Sequence, residues 1–411
     1  MKVLLLNRIS QLRGGADKYF QELGSLLRAH GHLVSTFTAR CPGDPEVAGR
    51  EFFPESFHEA TAPRPSLGSR IRFFWDGIYS RSAWRGLTRM AKADRPEVAH
   101  LNNIYFQLSS SVIEALAELR IPIVFSLHDY QVFCSNAYLY RDNGVCTLCS
   151  DGNFRHGLRH RCYRGSVPAS LMSYLSKRLT SDRGLLGKVS AFVVPAQGMR
   201  RQVERLGLSG ARIEVIPNPF RIGSLQVRAS WDPYAVFYGR LIRPKGIYTL
   251  LEASRRLPRI PLRIFGSGPE EAGVREFLRE HRMDHVSLDT ELRWGPQLQE
   301  IVGRARLVLV PSEWPVPMDY VLCESLALGR AVVTGDLGGN PELIEDGVSG
   351  RVFRSGDAGS LASAMEELYG DLARVKSMGE EGRRVVEDRC SEERFYASIL
   401  RVYEDVCSKT S

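Results

Sequence analysis

The chain has 411 residues, 43% hydrophobic and 25% charged, with a net charge of +8; that length exceeds what one hydrophobic core serves and that composition excludes a disordered chain, so two globular domains are expected. No apolar stretch reaches the ~18 residues of a membrane-spanning helix, and Met1–Leu6 is followed by Arg8 and a glycine turn rather than a cleavage site, which argues against a secretion signal. The charge is lopsided, with 31 basic and 18 acidic side chains in 1–228 against 24 and 29 in 229–411, so the front half is expected to meet an anionic surface, a membrane face rather than nucleic acid.

The first unit reads strand, glycine turn, helix: Val3–Leu6, Gly14-Gly15, then an amphipathic helix over Asp17–His30 that Gly31 ends. Leu33–Thr38 is the next strand, 41–66 a loop rich in Pro, Gly and Glu, 69–92 a helix and 95–101 a strand. A helix at 109–119 leads to the buried strand Ile121–Leu127, and 134–162 is an irregular cysteine-rich insertion. Helix 168–180, strand Ala191–Pro195, helix 198–206 and strand Ile213–Ile216 complete the first series.

Residues 221–232 lack apolar periodicity and suit a linker, after which the alternation restarts. Strands are expected at Ala235–Tyr238, Leu262–Phe265, Val286–Leu288, Leu307–Val310 and Ala331–Thr334. Helices are expected at Gly246–Arg256, Glu270–Glu280, Leu298–Ala305 and Tyr320–Leu328, with the last ones at 358–369 and 391–406. Strands alternating with helices imply parallel sheets. The fold class is therefore α/β, with two doubly wound Rossmann-like domains over 1–220 and 221–390 and a helix over 391–411 that can cross back to the first.

Glycines cluster where such sheets bind ligands, at the carboxyl ends of strands. Gly14-Gly15 lets backbone N–H groups approach a phosphate at a helix start, although strand-to-helix turns of this kind are common. Gly239-Arg240-Leu241-Ile242-Arg243-Pro244-Lys245-Gly246 adds two cations, of which arginine grips phosphate bidentately and lysine as a point charge. Gly266-Ser267-Gly268 opens a further helix, and Glu324 is a carboxylate able to hold a pair of ribose hydroxyls or to sit in a surface ion pair. His128 ends a buried strand at the same kind of edge.

In order, Arg13-Gly14-Gly15-Ala16, Leu127-His128-Asp129-Tyr130, Val215-Ile216-Pro217-Asn218, Gly239-Arg240-Leu241 with Lys245-Gly246, Phe265-Gly266-Ser267-Gly268-Pro269, Pro311-Ser312 with Glu324-Ser325-Leu326-Ala327-Leu328-Gly329, and Gly338-Gly339-Asn340-Pro341-Glu342 span nearly the whole chain. Together they resemble retaining glycosyltransferase family 4, which has the GT-B fold of two domains facing across a cleft. The resemblance implies that Gly14, Gly15, Gly266 and Gly268 line a donor site. It implies that His128 lies beside the transferred sugar, that Arg240 and Lys245 hold the donor diphosphate as it leaves, and that Glu324 bonds the ribose. It also implies that catalysis needs no metal, because these cations take the metal's electrostatic role. The chain departs from the pattern eight residues before Glu324, where the family has a glutamate that contacts the donor sugar and this chain has Val316. Glu313 and Asp319, three residues to either side, are the candidates to replace it, and Met318-Asp319-Tyr320 replaces the family's Phe-Gly pair.

Four of the eight cysteines cluster as Cys134-x11-Cys146-x2-Cys149-x12-Cys162, while Cys41, Cys323, Cys390 and Cys407 are scattered. The Cys-x2-Cys core can present two thiolates to a tetrahedral zinc, with the outer pair completing a structural site. Buried free thiols or disulfides are the alternatives, and His156 and His160 can each replace one thiolate. In the segment 69–92, Arg81, Arg85, Arg89 and Lys92 share one helical face, with Trp84, Leu87 and Ala91 on another and Phe73, Phe74, Trp75 and Tyr79 upstream. Such a helix either lies on an anionic bilayer or packs into the core with a solvated basic face.

The resulting expectation is transfer of a sugar from a UDP- or GDP-sugar to a glycan or polyprenyl-diphosphate-linked glycan, in surface polysaccharide assembly, at the cytoplasmic face of a membrane. A nucleotide-sugar epimerase of the same fold, or a non-catalytic nucleotide- or glycan-binding relative motivated by Val316, is the alternative.

Overall fold

The computed structural model describes residues 1–44, 47–55, 66–223, 225, 227, 231–292 and 295–409. Residues 45–46 and 56–65 of the expected loop over 41–66, and 224, 226 and 228–230 of the expected linker, lie outside the described residues.

The first half runs β1 (Lys2–Leu6), α1 (Gly15–Ala29), β2 (Leu33–Phe37), α2 (Leu67–Ile78), α3 (Arg81–Asp94), β3 (Val98–Leu101), α4 (Ser111–Glu118) and β4 (Ile123–Ser126). A small hairpin, β5 (Tyr140–Arg141) and β6 (Gly144–Val145), and α5 (Arg155–Arg159) form the insertion. Then come α6 (Val167–Asp182), β7 (Ala191–Val194), α7 (Gln197–Val203) and β8 (Ile213–Val215). The sheet order is β2-β1-β3-β4-β7-β8, all parallel. Strand Val3-Leu4-Leu5-Leu6 is wholly buried, as a parallel strand covered on both faces must be.

The expected helix over 69–92 is two helices. Tyr79 is extended at φ −152°, and the Ser80 hydroxyl accepts from Ala83 N at 3.2 Å to cap α3. A serine at that position satisfies an orphan N–H of a new helix, so the break wins over continuation. Leu87 and Ala91 of α3 face the core, so the basic helix is core-packed. The exposed apolar stripe belongs to α2, where Leu67, Ile71 and Trp75 are 73%, 52% and 61% exposed.

The second half runs β9 (Asp232–Tyr238), α8 (Ile247–Arg255), β10 (Leu262–Phe265), α9 (Glu271–Glu280), β11 (Val286–Asp289), α10 (Pro296–Arg304), β12 (Ala305–Val310), α11 (Tyr320–Ala327), β13 (Ala331–Gly335), β14 (Arg351–Phe353) and α12 (Ala358–Tyr369). It closes with α13 (Leu372–Arg389) and α14 (Glu392–Ser408). The order β11-β10-β9-β12-β13-β14, again parallel, reverses direction between β9 and β12. That switch point is where an open α/β sheet leaves a crevice for a ligand. Helix α13 was not expected, because its sequence is mostly charged and only a sparse stripe that includes Val375, Met378 and Val386 is buried.

Helix α14 leaves the second domain and packs on the first. Phe395, Ile399, Val402 and Tyr403 join Val3, Leu5, Tyr19 and Leu23 in one apolar cluster. The chain thus passes between domains twice, and the two passages are tied where Phe220 N donates to Cys390 O at 2.8 Å.

Candidate functional site

The loops after β9 and β12 approach so closely that only glycine fits between them. Gly246 has φ +71°, and a Cβ there would fall 1.8 Å from the Pro311 carbonyl oxygen. Gly266, at φ +147°, would place its Cβ 1.8 Å from the Gly239 oxygen. These approaches gather Arg240, Lys245, Gly266, Gly268 and the α11 residue Glu324 around the β9/β12 switch point.

Each charged group there has a protein partner. Lys245 Nζ is paired with the Asp319 carboxylate, and both side chains are largely buried. Asp319 is fixed by Ser312 Oγ and Asn340 Nδ2, each donating at 3.2 Å, and its own N–H donates to Asn340 Oδ1 at 2.9 Å. Arg240 donates to Tyr138 Oη from the insertion of the first domain and sits over that ring, 5.8 Å from its centroid. Glu324 Oε1 is 3.0 Å from Lys18 Nζ of α1. Burial pushes the Glu324 carboxyl up to about 7 against the opposing pull of Lys18. Burial likewise carries Glu22, whose carboxylate is 4.0 Å from Lys18, up to about 7.

Lys18 and Tyr19 link the two sides of the cleft. Lys18 reaches Glu324, while the Tyr19 ring lies 4.5 Å from the His128 ring. His128 Nε2 donates to Asn102 Oδ1 at 3.1 Å, a direction fixed by the acceptor. Burial lowers its pKa to about 3, so the imidazole is neutral.

The glycine turn behaves differently from its motif. A Cβ on Gly14 meets nothing within 4 Å, whereas one on Gly15 would stand 3.0 Å from the Tyr320 ring of the other domain. A side chain at Gly15 would therefore press on the Tyr320 ring of the other domain. Val316 is 2% exposed and lies, with Trp314, in the apolar cluster of the first domain. Glu313 accepts from Tyr140 Oη at 2.7 Å and from Thr249 Oγ1 at 2.6 Å, joining the insertion to the second domain. Cys134, Cys146, Cys149 and Cys162 are free thiols that line one cavity of about 20 Å³. Among the described residues no group of three or more His, Cys, Asp or Glu side chains is placed so that it could hold a metal ion.

Sequence reasoning missed Lys18, Tyr138 and Arg8. Arg8 follows β1 with a buried Nε that has no hydrogen-bond partner. Its place beyond a central strand end was a usable signal. Lys18 carried a weaker one, one turn into the helix that follows the glycine pair.

Residues 13–222, half of the chain, match the model of Glycosyltransferase Family 4, and residues 232–371 match Glycosyl transferases group 1. The α-maltose-1-phosphate synthase of Mycobacterium tuberculosis is 32% identical over 212 residues, 46% of this chain and 53% of that protein. The lipopolysaccharide core biosynthesis glycosyltransferase LpsE of Rhizobium meliloti is 26% identical over 250 residues, 58% and 70% of the two chains. The matched region spans about half the length of the first of these relatives. In fold, the chain is similar to a sucrose-phosphate synthase from Thermosynechococcus elongatus, with TM-score 0.72, 19% identity and 99% of both chains covered. It is also similar to Anabaena Alr3699/HepE in complex with UDP, with TM-score 0.67, 17% identity, and 98% and 100% covered. The two facing parallel-sheet domains are the GT-B arrangement, and the protein belongs to glycosyltransferase family 4.

Proposed function

We propose that this protein transfers a sugar from a UDP- or GDP-sugar to a glycan or polyprenyl-diphosphate-linked glycan, with retention at the anomeric carbon. The observation that carries this reading is the gathering of Arg240, Lys245 and Glu324 at one switch point, joined through Lys18 and Tyr19 to His128. In it, Arg240 and Lys245 exchange Tyr138 and Asp319 for diphosphate oxygens and stabilise the charge that builds as the anomeric carbon–oxygen bond breaks. Glu324 accepts from the ribose hydroxyls. The acceptor hydroxyl forms the new bond from the face the diphosphate leaves. His128, being neutral, orients a sugar hydroxyl by hydrogen bonding. The UDP and UDP-glucose complexes of the Anabaena protein support a nucleotide-sugar donor, and the lipopolysaccharide role in the name of the Rhizobium relative supports a surface glycan as product.

The acceptor side of this reading includes an anionic bilayer. No helix among the described residues is long and apolar enough to cross a membrane. The exposed Leu67, Ile71 and Trp75 stripe of α2 has Arg70 and Arg72 beside it, a combination suited to interfacial docking.

The test is a thermal-shift panel of nucleotide sugars, followed by transfer assays on the donor that binds. Saturation at ~100 times the dissociation constant stabilises by roughly 2.7 kcal/mol, and NMR of the product gives the anomeric configuration. Absence of stabilisation by every nucleotide sugar and nucleoside diphosphate overturns the reading. Binding without transfer or donor hydrolysis supports a second one, a non-catalytic relative, for which the motive is Val316 at the position where the family pattern has a glutamate.

A further inference from the structure

The insertion between β4 and α6 reaches into the cleft, with Cys134, Leu139 and Tyr140 buried in the apolar cluster of the first domain. Its hairpin strands β5 and β6 are two residues each, far below what stands alone in water. Yet this short element places Tyr138 on Arg240 and Tyr140 on Glu313, both in the other domain. The four cysteines of the same insertion line one cavity.

Cys134 follows the turn after β4, Cys146 and Cys149 follow β6, and Cys162 follows α5. Cys146 N donates to Leu139 O at 2.7 Å and Cys162 N to Gly157 O at 2.9 Å, so the backbone already folds these segments towards one another. The cavity they share is about 20 Å³, the size of a single water or ion. Leu139, Leu148 and Leu206 also line it.

We propose that Cys134, Cys146, Cys149 and Cys162 bind one zinc ion as four thiolates, and that the ion fixes the Tyr138–Tyr140 strand against the nucleotide cleft. Soft thiolate ligands in a tetrahedral set select zinc over magnesium or calcium. One Zn²⁺ displaces four thiol protons to solvent and leaves a tetrathiolate of net charge −2. The buried ammonium of Lys177, electrostatically coupled to Cys134 and Cys149, offsets part of it. Cys134 gives up its bond to Asn136 Oδ1, now 3.0 Å. His160 stays outside the set, because its Nδ1 accepts from Arg141 at 2.8 Å.

The experiment needs no donor or acceptor, so its outcome is separate from that of glycosyl transfer. Full-length protein is purified under reducing conditions without chelator, and its zinc is measured by elemental analysis. The expected result is about one zinc per chain, and cobalt exchanged into it gives intense thiolate-to-metal charge transfer and tetrahedral visible bands. Four thiols resist a thiol reagent until the metal is chelated, and amide exchange at Cys146 then rises and falls again when zinc is restored. Cys149→Ser lowers the metal content, whereas Cys41→Ser leaves it unchanged. If Cys149→Ser fails to fold, chelation and zinc add-back on the unaltered chain give the same reading. Metal-free protein with all four thiols reactive overturns the proposal. So does a mass shift showing disulfides among the four, or a Cys149→Ser protein that keeps its full zinc.

Discussion

Lys18 of the first domain holds its ammonium 3.0 Å from a carboxylate oxygen of Glu324 in the second. The same ammonium lies 5.0 Å from the Phe220 ring centroid and 4.7 Å from that of Tyr320, so one cation bridges the two domains beside Glu324. Glu324, raised by burial to about 7, is an acid whose folded-state pKa exceeds its unfolded value. Its contribution to stability is therefore fully present below about pH 4.5 and is lost as pH rises through about 7. Glu324→Gln cannot titrate, so the stability advantage of the unaltered protein over this variant should shrink between about pH 5 and about pH 8. Chemical denaturation at both pH values checks it, and a difference that stays constant or grows contradicts it.

Lys245 is the group whose loss should most directly weaken diphosphate binding. Lys245→Ala removes a charge-assisted bond at a cost of about 1.5–3 kcal/mol, or about one to two decades in affinity for a nucleoside diphosphate by calorimetry. Asp319→Asn acts in the opposite direction. It keeps the shape and most hydrogen-bonding capacity around Ser312 and Asn340 but frees the Lys245 ammonium, so affinity should rise several-fold. In the double variant that gain should vanish.

Val316→Glu restores the residue type the family pattern places there, yet its side chain would enter the apolar cluster that holds Trp314 and Tyr130. Burying an unpaired carboxylate costs on the order of 3 kcal/mol or more. The melting temperature should fall and turnover should not rise. A more active variant of unchanged stability would mean that this side chain faces the sugar.

Ile71→Ser and Trp75→Ser together should weaken binding to anionic vesicles several-fold, with little change in melting temperature, since neither side chain is buried. Salt should release the unaltered protein. Equal binding to neutral and anionic vesicles counts against a role for the basic residues near α2.

The alternation of strand and helix was legible because parallel strands such as Val3-Leu4-Leu5-Leu6 are continuous apolar runs between glycine turns. The strand order was not, since it depends on which helices cross which sheet edge. Tyr79-Ser80 hid the break between α2 and α3, because apolar periodicity continues across a serine that caps a helix. Helix α13 escaped because a helix that buries only a sparse stripe reads as polar chain. In the site, Arg240, Lys245, Asp319 and Glu324 could be singled out from the sequence, whereas the cross-domain partners Tyr138 and Lys18 could not. A partner brought from another domain leaves no local spacing. Val316 could be flagged as unusual from sequence, but only the packing of Trp314 and Val316 into the first domain shows where it points.

The double passage of the chain between domains has a mechanical consequence. With Phe220 N bonded to Cys390 O, the outgoing and returning segments pivot together, and α14 is anchored to the first domain by Phe395, Ile399 and Tyr403. Were the cleft to open about those two residues, a cleft group would travel farther the farther it lies from them. Lys18, whose ammonium is 5.0 Å from the Phe220 ring centroid, lies close to those residues, so its bond to Glu324 would lengthen little in such a swing.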